Sequence, residues 1–230
     1  MSFGEVWYYF EQDVEYPVTV LDVSYFSRID LSKYDVLVVP NGYYRIFNEN
    51  KRKDLVQWVR DGGRLVLISN ALRSFVNTDQ FGLTKYISDE KESSSKKMEE
   101  ELEEDRILME YEDERRLSIS NNTPGAIYKA KIDNSHPLAF GYPQHYFTLK
   151  LGGSRYSYLK DGWNVGIIES ANDHVSGFVG KNVEKNLSES LVFGVEEMGS
   201  GSVVYMVDNP LFRAFWQNGK MIFGNAVFMK

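Results

Sequence analysis

The chain contains no cysteine among its 230 residues. Disulfides, thiolate metal ligation and a cysteine nucleophile are therefore all excluded. Histidine is scarce too. His136, His145 and His174 are the whole supply, so base-assisted catalysis has few candidates. No apolar run approaches the roughly 18 residues of a membrane-spanning helix. The opening residues Met1 to Val6 lack the basic stretch and apolar run of a signal peptide. We expect no membrane span, and any export signal would lie outside these residues.

An excess of positive charge is also missing. The net charge is −7. Residues 88–116 carry 13 acidic and 6 basic side chains, which accounts for all of it and leaves 20 of each sign elsewhere. Without a basic face, nucleic acid is not an expected partner. Met98, Leu102 and Met109 recur at helical spacing within that segment, which reads as an acidic helical insertion with a thin apolar stripe.

The rest is globular in composition, 43% hydrophobic and 14% aromatic. Three near-continuous apolar runs, at residues 18–23, 35–40 and 64–69, read as buried parallel strands. Between the second and third, residues 48–61 read as a helix. Leu55, Trp58 and Val59 form its buried stripe, Asn48 or Asn50 its cap, and Gly62-Gly63 its end. A first helix is expected near residues 4–15, with Trp7, Tyr8 and Phe10 on one face. No strand precedes it, which suggests an excerpt of a longer chain. After Pro124-Gly125 the pattern turns β-rich through residues 126–132, 156–179 and 202–208, and a helical tail follows Pro210.

Several stretches resemble one family. They are Gly199-Ser200-Gly201-Ser202 through Asp208-Asn209-Pro210 to Trp216, then Asn218-Gly219 and Asn225-Ala226-Val227-Phe228. With them go Phe3-Gly4-Glu5-Val6-Trp7, Phe10-Glu11, residues 132–141 and Gly177-Phe178-Val179-Gly180. Together they resemble the class I glutamine-amidotransferase-like domain of bacterial zinc carboxypeptidases. The resemblance implies one doubly wound, mostly parallel flavodoxin-like α/β domain over residues 1–230, with helices on both faces and an additional β-rich part. It also implies a periplasmic or extracellular parent whose peptidase domain is the partner, with zinc held only in that domain.

Amidotransferase chemistry needs a cysteine at a sharp strand-to-helix turn. Ser69 occupies that position here, in a turn without glycine, and no histidine is followed two residues later by glutamate. Zinc ligation fails likewise, because Ala139, Thr148 and Gly177 stand three residues after the histidines. The expected role is a non-catalytic accessory domain with a degenerate site and no cofactor. Alternatives are a module binding a glycan or peptide end, and a hydrolase built on Ser69. Candidate ligand-binding residues are Asn41, Gly42, Tyr43 and Tyr44 after the second strand, Asn70 in the turn, and His136 before Pro137. Asp208 and Arg213 could pair and tie strand to helix.

Overall fold

A computed structural model describes residues 3–86 and 111–229. Most of the acidic segment, including Met98, Leu102 and Met109, lies outside the described residues. Eight strands form one sheet: β1 (Val36–Val39), β2 (Arg64–Ile68), β3 (Gly125–Ile132), β4 (His145–Lys150), β5 (Trp163–Ile168), β6 (His174–Phe178), β7 (Ser190–Met198) and β8 (Gly201–Met206). Their order is β1-β2-β8-β7-β5-β3-β4, with β6 also on β3.

The sheet is mixed rather than mostly parallel. Only β1, β2 and β8 run parallel to one another. All the remaining pairings are antiparallel. The cause is local: β7 and β8 are joined by the tight Gly199-Ser200 turn, and a short turn can only reverse the chain.

Helix α1 (Phe3–Tyr8) runs on as a wider π turn (Tyr9–Asp13). Among the described residues four more α-helices follow: α2 (Glu49–Arg60), α3 (Tyr111–Ser120), α4 (Lys181–Glu184) and α5 (Gln217–Phe228). The Asn48 side chain accepts from the Lys51 N–H to start α2, and Gly62, at φ +117°, ends it in a conformation other residues rarely adopt.

Because side chains alternate along a strand, β2 feeds two cores. Leu65 and Leu67 pack with Leu55, Trp58 and Val59 of α2 on one face. Val66 and Ile68 pack on the other with Tyr9, Phe10, Ile222 and Phe223, from the α1 turn and α5. Helices thus cover both faces, and each fully buried Leu or Ile adds roughly 1.5–3 kcal/mol.

Two local expectations need correction. Residues 18–23 form no strand, and Val18, Val20 and Val23 stand exposed at the surface. Apolar content there does not correspond to burial. Across α1 and its π turn the buried residues are Val6, Tyr9 and Phe10, while Trp7 and Tyr8 are exposed. The helix widens into a π turn after Tyr8, so the three aromatics expected on one face divide, Phe10 inward and Trp7 and Tyr8 outward.

The antiparallel half curls. β4 is four strands from β8 in the sheet, yet Thr148 and Lys150 of β4 touch Asp208, just beyond β8. The far edge of the sheet therefore folds back over the carboxyl ends of the parallel strands.

Candidate functional site

Three chain segments leave the parallel strands at their carboxyl ends, the usual place for ligands in open α/β sheets. After β1 comes Asn41, after β2 come Ser69 and Asn70, and after β8 come Asp208 and Asn209. With the curled β4 edge and α1 they enclose a crevice of about 270 Å³. Its lining includes Glu5, Asn41, Ser69, Asn70, Asp208, Asn209 and Arg213.

Ser69 sits at the turn where β2 passes into a 3-10 helix (Ser69–Ser74). Its φ is +53°, a left-handed conformation that costs a non-glycine residue roughly 1 kcal/mol. The absence of glycine therefore did not prevent a sharp elbow. Serine adopts it under strain. Asn41 Oδ1 fills the space beside this elbow. It accepts the main-chain N–H of Asn70 at 3.2 Å and the Asn70 side-chain amide at 2.9 Å.

Across the crevice, Asp208 is held from behind. Its Oδ2 accepts from Thr148 Oγ1 at 2.6 Å, and its Oδ1 lies 3.2 Å from Lys150 Nζ. The Lys150 side chain is 1% exposed, and its ammonium takes no aligned hydrogen bond among the described residues. A buried ammonium needs a counter-charge, and Asp208 supplies it. The expected Asp208–Arg213 pair is not formed. The curled β4 strand brings Lys150 to that carboxylate instead, a contact that chain proximity could not reveal.

Glu5 closes the remaining wall. One carboxylate oxygen accepts from Asn209 Nδ2 and the other from the Arg213 N–H, both at 2.6 Å. Arg213 and Ala214 have φ of +49° and +59°, so the loop after β8 is strained like the Ser69 turn. Strain of this kind collects where a surrounding structure holds a site in one shape.

The sequence candidates divide between this crevice and other places. Asn41, Ser69 and Asn70 meet in it. Gly42 lies against the Tyr44 ring, where a Cβ would come within 3.1 Å of it. Tyr44 turns inward to donate to the Pro40 carbonyl at 2.9 Å and packs on Phe47. Tyr43 points to solvent beneath Arg73. His136 lies elsewhere, beyond β3, where its Nδ1 accepts the Leu138 N–H at 3.0 Å and its ring faces Trp163. Burial holds its pKa below the usual imidazole value, with Arg64 adding to that effect and Asp133 and Glu197 opposing it. His145 packs on Phe147 and His174 on Tyr128. None of the three histidines lines the crevice.

Glu5, Thr148, Lys150 and Asn209 were not anticipated as site residues. One signal for them existed. Along β4 the inward positions are Tyr146, Thr148 and Lys150, and a lysine on the buried face of a strand demands a partner. Among the described residues, no group of three or more histidine, aspartate or glutamate side chains could hold a metal ion. Nor is any described helix long and apolar enough to cross a membrane.

No family model and no curated protein matches this sequence. Solved structures do share its fold. A ThuA-like protein from Parabacteroides merdae matches with a TM-score of 0.58 at 14% identity, over 99% of this chain and 86% of that one. A cytoplasmic protein from Salmonella typhimurium LT2 matches at 0.57 and 10% identity, over 98% and 85%. A β-galactosidase from Bacillus circulans matches at 0.52 and 11% identity, over 99% of this chain and 28% of the enzyme. At these identities the likeness is one of fold alone.

The neighbours correct the family resemblance. ThuA-like proteins share the class I amidotransferase-like fold, and no link to zinc carboxypeptidases emerges from the comparisons. The Asp208-Asn209-Pro210 stretch directly follows β8, a place set by the fold rather than by one family.

Proposed function

We propose that this chain is a non-catalytic binding module whose crevice takes the hydroxyl groups of a sugar. The observation that carries the reading is Asn41 Oδ1 on the main-chain N–H of Asn70. In a nucleophile elbow, the N–H following the nucleophile points at the developing oxyanion. Here a side-chain oxygen of the protein already occupies that donor, and no histidine stands ready as a base. Both facts favour binding over turnover.

The chemistry of the walls favours a neutral polyol. Amides of Asn41, Asn70 and Asn209 and hydroxyls of Ser69 and Ser154 offer both donors and acceptors. The Asp208 carboxylate is balanced by the buried Lys150, and the Glu5 carboxylate is held by the Asn209 amide and the Arg213 main-chain N–H. Phe212 adds an aromatic surface beside them. That one neighbour of the fold is part of a β-galactosidase is in keeping with carbohydrate as the ligand class.

The test is titration against a panel of mono- and oligosaccharides followed by calorimetry and amide chemical shifts. Saturable binding weakened about tenfold by Asn70→Ala, the loss of one or two hydrogen bonds, is expected. The left-handed backbone of Ser69 favours one rival, a serine nucleophile. Ester or amide hydrolysis abolished by Ser69→Ala would establish that rival and end the binding-module reading.

A further inference from the structure

A second, larger recess lies at the opposite end of the parallel strands. It is a groove of about 690 Å³ between residues 26–35 and the outer side of α2, reaching Gly62-Gly63 before β2. Trp58 forms its floor, with the indole N–H donating to the Tyr34 carbonyl at 3.1 Å. The half-buried Ile29, Leu31 and Tyr34 form one apolar wall. Gly63 keeps the floor in place, since a Cβ there would run into the Trp58 ring.

The rim is predominantly acidic. Asp30, Asp35, Asp54 and Asp61 all border the groove, against a single cation, Lys51. Lys51 is already committed to Asp54 at 2.9 Å. Asp30 caps its own turn by accepting from the Ser32 N–H and hydroxyl, with Lys33 4.0 Å away. Asp61 accepts from the Gln57 amide at 3.0 Å, a neutral donor. Asp35 and Asp61 have no cationic partner among the described residues.

We infer that this groove docks an extended basic segment of a partner protein, seating a Lys or Arg head between Asp35 and Asp61 and the neighbouring apolar side chain against Leu31 and Trp58. The argument is complementarity. An apolar floor recognises side-chain stems, and an uncompensated acidic rim recognises the cation at the end of them. A volume of this size lies within the range of recognised ligand clefts, roughly 300–1,000 Å³. The groove shares none of its lining with the sugar crevice, so the two can fail separately.

The experiment is fluorescence anisotropy of a labelled hexapeptide alternating arginine and leucine, titrated with the intact protein. We expect saturable binding that weakens at least about fivefold when salt rises from roughly 0.05 to 0.5 M. Asp35→Asn with Asp61→Asn should weaken it about tenfold. Both positions are exposed, so the fold survives, and the unchanged circular dichroism and sugar binding of that variant confirm it. Replacing arginine by glutamate in the peptide should abolish saturation. Binding that ignores both aspartates, no saturation by about 1 mM peptide, or calcium chloride alone saturating the groove and displacing the peptide would each overturn the assignment.

Discussion

Asn41 and Asn70, 29 residues apart, are joined through one amide oxygen that accepts both the main-chain and the side-chain N–H groups of Asn70. The contact ties the loop after β1 to the turn after β2. Asn41→Ala leaves two half-buried donors without that acceptor and should cost about 1 kcal/mol, whereas Asn41→Asp keeps the oxygen and should cost less. Urea unfolding of the two variants distinguishes them. Equal losses would mean that side-chain size, not the acceptor, matters.

The Lys150–Asp208 pair gives a larger effect. Asp208→Ala strands an ammonium in the protein interior and should destabilise by about 3 kcal/mol. Replacing both, Lys150→Met with Asp208→Ala, should recover most of that loss. A double-mutant cycle by chemical denaturation measures it, and additive losses would disprove the coupling.

His136 makes stability depend on pH. Its Nδ1 accepts a hydrogen bond and burial lowers its pKa, so the folded state prefers the neutral ring. The unfolded chain binds the proton near pH 6.5. The contribution is therefore complete above that pH and is lost as pH falls from there through the folded pKa. His136→Asn keeps a capping acceptor and should lose less stability than the parent between about pH 7.5 and 5. Parallel curves for the two proteins would rule His136 out as the cause.

Ser69 should be improvable. Ser69→Gly removes the left-handed penalty and should raise stability by up to about 1 kcal/mol, while Ser69→Val, branched at Cβ, should lower it by more than that. Thermal unfolding orders the three proteins, and a valine variant as stable as the parent would show that the turn can relax.

Glu5→Ala removes two charge-assisted hydrogen bonds, worth about 2 kcal/mol in all, that clamp α1 to the loop after β8. Hydrogen exchange of residues 3–13 should accelerate in this variant well before exchange in β2. Uniform acceleration would mean that α1 is not a separate unit.

The parts of the fold written in short stretches were legible. β1, α2 and β2 announce themselves by apolar runs, by Asn48 as a cap and by Gly62 as a stop. Residues 18–23 misled because apolar composition carries no record of whether a neighbouring strand is available. The site was half legible. Asn41, Ser69 and Asn70 follow directly from strand ends. Lys150 reaches Asp208 only through the curl of the sheet, and Glu5 reaches the crevice only through the docking of α1, both properties of the whole chain. The mixed strand directions escaped for the same reason: a buried antiparallel strand and a buried parallel one are equally apolar.

The Glu5 clamp sets an order of events at synthesis. Glu5 and Arg213 are 208 positions apart, so the crevice wall they share has no existence while the later residues are still within the ribosome. At roughly 5–20 residues per second the nascent chain spends on the order of ten seconds or more without it. A ligand of the crevice cannot guide early folding, and it can reward only the finished molecule.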